Sequence, residues 1–251
     1  MDDERDFIEA VGKTYTRDSM QDKVIRSLIV RTFAPYLRKD MVCLQLGYGG
    51  GVDTEELSSL VKHIDVAEGN KEFIEEGGKQ GFSNVSFIDT LFENLSVEVT
   101  KKQYDAVFAI YVLEHVQDPQ LVLERVKNVL ASDGFLFVVV PNAYALSRQL
   151  ARCMGLLKEL TDLTEHDLKH GHRRVYDMVR LTRELESAGF EIIHQGGIFL
   201  KILADFQLDK LYQLGILAEP QVEGLYKLGF EYPHLCGSIF AIAKQETPID
   251  V

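Results

Sequence analysis

The chain has 251 residues, 46% hydrophobic and 26% charged, enough for one α/β domain with added helical segments. A formal net charge of −12 argues against a nucleic-acid backbone as the main partner. Three cysteines (Cys43, Cys153, Cys236) with no C-x-x-C pair, a charged start without a signal-peptide pattern and no apolar run near twenty residues predict a cytoplasmic, reducing setting without a membrane partner.

Residues Met1–Asp18 are charged, with Phe7, Ile8 and Tyr15 as the large apolar or aromatic side chains, and Gly12–Ser19 reads as a loop. Val24, Ile25, Leu28, Ile29, Phe33 and Leu37 then recur at helical spacing. Residues 1–40 are expected to be a helical segment that closes a ligand site. In it, Tyr15 and Arg17 either fold over a bound nucleoside or belong to a frayed tail.

Met41–Val52 reads MVCLQLGYGGGV, an apolar run that breaks into Gly47, Gly49, Gly50 and Gly51 before Asp53, Thr54 and good helix formers. That is a strand, a tight turn and a helix start. Glycine lets backbone N–H groups approach a ligand across the strand's carboxyl end, although similar turns join strands to helices that bind nothing. The spacing is G-x-G-x-G, and Val52 stands where a dinucleotide fingerprint has its third glycine, which disfavours a nicotinamide dehydrogenase. The strand-like Lys62–Glu68 ends in Glu68, placed to accept both hydroxyl protons of an adenosine ribose. A nucleoside without a pyrophosphate points to S-adenosylmethionine.

Asn70–Gln80 reads as a helix and Asn84–Ile88 as a third strand. The loop after it should meet the adenine, with Phe92 as an apolar wall or, with Leu91, as part of the core. Tyr104–Ile110 is a fourth strand, and Asp118-Pro119 caps the helix after it. Ser132-Asp133-Gly134 is read as a turn into a fifth strand, Phe135–Val140, that ends in Pro141-Asn142. Such sustained alternation, with strands apolar on both faces, predicts a doubly wound parallel sheet.

Beyond it, Tyr144–Leu157 reads as a helix with Arg148 and Arg152 one turn apart, and Thr161–Asp167 as a loop. A sixth strand is expected from Glu191, interrupted at Gly196-Gly197 and resuming over Ile198–Ile202, and a last one over Ser238–Ala243. The insertion Leu203–Leu235 between them suits a lid or a face for a second copy of the chain, a homodimer.

LQLGYGGG, VAE and YDAVFAIYVLEHVQDPQLVLERVKNVLASDGFLFVVVPN together resemble the class I S-adenosylmethionine-dependent methyltransferases of the small-molecule type, in particular the methyltransferase type 11, 12 and 23 groups. The match runs from about Met41 to Asn142. The resemblance implies a Rossmann-like seven-stranded sheet of order 3-2-1-4-5-7-6 with its last strand antiparallel. Residues 41–251 would be the cofactor-binding domain, with cap insertions at about 143–176 and 203–235. Gly47, Gly49, Gly51, Glu68, Leu91, Phe92 and Ile110 would hold S-adenosylmethionine, with Tyr48 packed over it. Gln45 stands where the family usually has an acid, and Leu91 where an adenine-contacting acid is common. Those departures, with Tyr48, motivate an alternative: a regulatory protein that binds the cofactor without catalysis.

Methyl transfer needs a nucleophile held in line, water excluded and in some cases a proton removed; no metal is required. Residues past the fourth and fifth strands should face the methyl group, namely Tyr111, Glu114, His115 and Asn142–Tyr144. His115 is the candidate general base, or else packs under the following helix, and Asn142 is the second catalytic candidate. His166, Lys169, His170, His172, Arg173 and Arg174 make a basic cluster in an acidic chain. It reads either as an anion receptor, with His172, Arg173 and Arg174 binding a carboxylate or phosphate beside Arg148 and Tyr144, or as a solvated loop whose arginines pair with nearby acids. The favoured expectation is O-methylation of a small anionic metabolite, with nitrogen as the other acceptor atom.

Overall fold

The computed structural model describes residues 2–14 and 19–246; Tyr15, Arg17 and the expected tail over Thr247–Val251 lie outside them. The chain opens with helix α1 (Asp2–Gly12) and, after a π-helical turn at Gln21–Ile25, α2 (Arg26–Phe33). Strands and crossover helices then alternate: β1 (Val42–Leu46), α3 (Val52–Ser58), β2 (His63–Glu68), α4 (Lys71–Gly78) and β3 (Val85–Asp89). The short α5 (Val97–Thr100) leads to β4 (Tyr104–Ile110), α6 (Pro119–Val129) and β5 (Leu130–Pro141). Next come α7 (Leu146–Cys153), α8 (Glu165–Lys169), α9 (Met178–Ser187) and β6 (Phe190–Ile198), then α10 (Asp205–Gln213), α11 (Glu219–Glu231) and β7 (Ser238–Gln245).

The seven strands form one sheet in the order β3-β2-β1-β4-β5-β7-β6, and β7 runs antiparallel to both of its neighbours. Period-two alternation divides its side chains between two cores. Cys43, Phe108, Phe137 and Phe240 face one side, where Phe33 of α2 and Leu208, Val222 and Tyr226 of α10 and α11 cover them. Leu44, Val107, Val138 and Ala241 face the other, under Val122 and Val126 of α6 and Leu181 and Leu185 of α9. Both faces are dry, which is why the strands read as unbroken apolar runs. Among the described residues no helix is long and apolar enough to cross a membrane.

Three segments differ from the reading of the sequence for a local reason, and β6 also stops at Ile198 instead of running on to Ile202, because Phe199 turns the chain with a positive φ of 62°. The Ser132–Gly134 segment is the irregular start of β5, because Leu130 already pairs with Tyr104 before the register shifts. Gly196 and Gly197 do not interrupt β6: the Phe240 ring fills the side-chain space at Gly196, and Cys236 with the Pro233 carbonyl fills it at Gly197. The expected loop over Thr161–Asp167 contains the start of α8, nucleated by a capping box between Thr164 and Asp167.

Helix α1 is tied to the sheet rather than frayed. Arg5 donates to the Gly69 carbonyl and pairs with Asp89, and the Asn70 amide donates to the Ile8 carbonyl. Asn70 also caps α4 by accepting from the N–H groups of Glu72 and Phe73. Asn70→Ala should therefore lower stability by about 1–2 kcal/mol, read as the denaturation midpoint. Loss of protection in α1 should accompany it in amide exchange.

Candidate active site

The turn after β1 is held in place from beneath. Gly47, Gly49, Gly50 and Gly51 all have positive φ, between 52° and 94°, a region that costs glycine nothing. Glu68, 5% exposed, accepts from the Tyr48 N–H on Oε2 and from the Asn70 N–H on Oε1, both at 2.8 Å. Burial raises its carboxyl, and the N–H groups of Tyr48, Asn70 and Gly69 pull it back. Gln45 donates to the Gly47 carbonyl and accepts from Thr54, so an amide does the bracing at that position.

Over this turn lies an open cavity. Gly47, Gly49, Glu68, Leu91, Phe92 and Ile110 line it, and Phe7, Ile8 and Val11 of α1 roof it. Two of the residues expected to hold the cofactor are placed elsewhere. The Tyr48 side chain is buried edge-on against Phe87, and its hydroxyl occupies the space over Gly51, which serves as the N-cap of α3. Neither lines the cavity.

Arg26 was not singled out in the sequence, yet its guanidinium is buried in the cavity floor. It lies against Gly49, 5.5 Å from the Tyr111 ring centre, and donates to Asp53 at 2.9 Å. The available signal was a charged residue directly after Ile25 in an otherwise apolar stripe, matched by an acid just past the glycine turn.

At the end of β4 the backbone is strained at Tyr111 (φ 57°), whose ring lines the cavity and whose hydroxyl meets Ser238 at 2.6 Å. His115 also lines the cavity. Burial and the neighbouring His172 push it down to about 3, so its imidazole is neutral near pH 7. Glu114 behind it is 1% exposed, and neither carboxylate oxygen has a hydrogen-bond partner among the described residues. Burial pushes Glu114 up to about 7. One carboxylate oxygen of Glu114 and one ring nitrogen each of His115 and His172 all lie within 4.8 Å of one another.

The basic cluster is not an open anion receptor. Arg173 pairs with Glu4 at 3.0 Å and lies over the Phe7 ring, holding α1. Arg174 donates to the carbonyls of Leu113, Val116 and Gln117 and so locks the turn that carries His115. Arg148 is spent on Asp167 and on the carbonyls of Leu160 and Asp162, and His172 faces Asp167. Asn142 is a splice rather than a reacting group: it donates to the carbonyls of His234 and Cys236 and accepts from the Tyr144 N–H. Tyr144 is exposed, and no residue of 143–176 or 203–235 lines the cavity.

Glu114 makes a testable demand on stability. A carboxyl whose native pKa is raised is favoured protonated, so the folded state loses stability as pH climbs from the unfolded value near 4.5 through about 7. Glu114→Gln should melt with the wild type near pH 5 and above it at pH 8, by up to about 3 kcal/mol. Thermal melts across that range check it.

A methyltransferase-domain family model matches residues 17–195. A ubiquinone biosynthesis O-methyltransferase of Dinoroseobacter shibae is 27% identical over 173 residues, 66% of this chain and 66% of its own. An (S)-coclaurine N-methyltransferase of Thalictrum flavum subsp. glaucum is 30% identical over 100 residues, 38% of this chain and 27% of its own. The chain thus spans between about a quarter and two thirds of these curated relatives. Among solved structures, the N-methyltransferase NodS of Bradyrhizobium japonicum, in complex with S-adenosylhomocysteine, superposes with a TM-score of 0.61 at 12% identity, over 96% of this chain and 99% of its own. With a family model covering well over half of its length, built on the sheet and glycine turn described above, the chain belongs to the methyltransferase-domain family.

Proposed function

We propose that this protein transfers a methyl group from S-adenosylmethionine to an oxygen of a small acceptor. The observation that carries the reading is the junction of the glycine turn with Glu68. Each oxygen of that carboxylate spends one lone pair on a backbone N–H and keeps another for a ribose hydroxyl. Leu91 and Phe92 supply an apolar slot for the adenine, and the bare Gly47 leaves the backbone open to close approach. Arg26, although paired with Asp53, still borders the cavity and places positive charge where the amino-acid carboxylate would lie, beside the strained Tyr111. The bound cofactor supplies an activated methyl group on a sulfonium, so the chain itself has to orient, exclude water and take up a proton.

For proton uptake, His115 faces the cavity and Glu114 stands behind it. His115, pushed down to about 3, is too weak a base to keep the proton, so its role is to relay it from a hydroxyl acceptor to Glu114, which burial brings to about 7. The matched O-methyltransferase relative, which covers more of the chain than the N-methyltransferase one, supports oxygen. An anionic acceptor has no support from geometry, because Arg148, Arg173 and Arg174 are committed to protein groups. The wall past β4, with Tyr111, Val112 and Val116, favours an uncharged, flat acceptor such as a phenol. The motive for a binding protein without catalysis weakens at Gln45, which braces the turn directly.

Two measurements test this. Calorimetry should show S-adenosylhomocysteine binding, and Glu68→Gln should weaken it by about 1–2 kcal/mol, roughly five- to thirtyfold; no heat at millimolar ligand would overturn the cofactor assignment. A panel of phenols, carboxylated phenols and amines, incubated with isotopically labelled S-adenosylmethionine and read by mass spectrometry, should show label on phenolic oxygen. Label on amines alone would remove oxygen as the acceptor.

A further inference from the structure

We propose that Asp167 and His172 form a positioning pair, delivered by the segment after β5, that holds an imidazole against Glu114 and keeps that carboxylate ready for the acceptor's proton. The inference rests on the assignment of proton uptake to His115 and Glu114, and gives the basic cluster a role other than anion binding.

Four observations converge. Asp167 is buried and fixed: it accepts from the Thr164 N–H and hydroxyl, both at 2.8 Å, and from Arg148 at 3.1 Å. His172 Nδ1 lies 3.3 Å from the other Asp167 oxygen, an ion-pair contact without hydrogen-bond geometry, while the ring stands edge-on to His115 with centroids 4.8 Å apart. The backbone carrying His172 is pinned on both sides, its own N–H donating to the Asp167 carbonyl and the Arg173 N–H to the carbonyl of Glu114 itself. Glu114 meanwhile has no hydrogen-bond partner for either oxygen among the described residues.

The charged and titratable groups facing Glu114 are His172, His115, Arg26, Arg174 and Tyr111. Arg26 is bound to Asp53, Arg174 to three carbonyls and the Tyr111 hydroxyl to Ser238. His115 is held neutral by burial, which leaves His172, beside Asp167, as the imidazole that counters the charge of Glu114. Facing Asp167 are Arg148, His172, His166 and, across the gap to α10, Asp205. Arg148 thereby anchors the carboxylate that orients His172. A protonated His172 lowers the proton affinity of Glu114; without it, Glu114 would stay protonated and blocked to higher pH.

The test reads the carboxyl directly and needs no acceptor. Infrared spectra of EDTA-treated protein, free and saturated with S-adenosylhomocysteine, are recorded from pH 5 to 9. The carboxylic C=O band that disappears in Glu114→Gln belongs to Glu114. In His172→Gln the midpoint of that band should rise by a pH unit or more, tenfold in the protonation ratio, and Asp167→Asn should move it the same way. His172→Gln keeps the test open should Asp167→Asn, which also touches the cap of α8, fail to fold. Homologue affinity in His172→Gln should stay within about twofold. A midpoint unmoved in His172→Gln overturns the proposal. So does a band abolished in the wild type by micromolar Zn²⁺ or Mn²⁺, which would make the cluster a cation site. Failure of the cofactor assignment shows separately, as absence of homologue binding with the titration in the free protein intact.

Discussion

Two backbone N–H groups, from Tyr48 and Asn70, converge on the buried carboxylate of Glu68, and the cavity is built outward from that junction. One donor belongs to the turn after β1 and the other to the turn after β2, so a single side chain fixes two loops that meet at the sheet's carboxyl edge. A buried carboxylate is costly unless hydrogen-bonded. Satisfying Glu68 from the backbone makes its position independent of flexible side chains. The same Asn70 that donates to Glu68 caps α4 and reaches α1, which carries the constraint from the floor of the site to its roof.

Most of the sheet was legible in the sequence because its signals are local. Strand runs such as Tyr104–Ile110, the glycine turn and the Asp118-Pro119 cap each declare themselves within a few residues. The strand order came from resemblance, not from periodicity. What local reading missed depends on partners far along the chain. Gly196 and Gly197 look like a break until Phe240 and Cys236 occupy the space their side chains would need. Arg26 looks like a solvent-facing residue of a packing helix until Asp53 is brought against it. Helix α1 has too few apolar residues to announce itself, and is secured by contacts to Gly69, Asp89 and Arg173 instead.

The basic cluster shows the same limit in a sharper form. A run of histidines and arginines in an acidic chain is a sound reason to look for an anion, but composition cannot say whether the cations are already taken. Glu4, Asp167 and five main-chain carbonyls take the guanidinium groups of Arg148, Arg173 and Arg174. Their yield is mechanical: Arg173 holds the roof, Arg174 the turn bearing His115, and Arg148 the carboxylate facing His172. Both cap segments, expected to enclose the acceptor, contribute support from behind the cavity wall.

Buried polarity is concentrated where those supports converge. Arg26, Asp53, Glu68, Glu114, Asn142 and Asp167 are all buried, and five of them are hydrogen-bonded or ion-paired. Glu114 is the exception. An apolar side chain there would spare the fold the desolvation of two carboxylate oxygens, a cost of a few kcal/mol. Stability alone gives no reason to keep it. The two sides of Glu114 do: His115 opens toward the cavity, and His172 is held by Asp167 on the other flank. A carboxylate left unsatisfied between two imidazoles, one touching the cavity and one beside Asp167 behind it, suits the proton uptake proposed for this site.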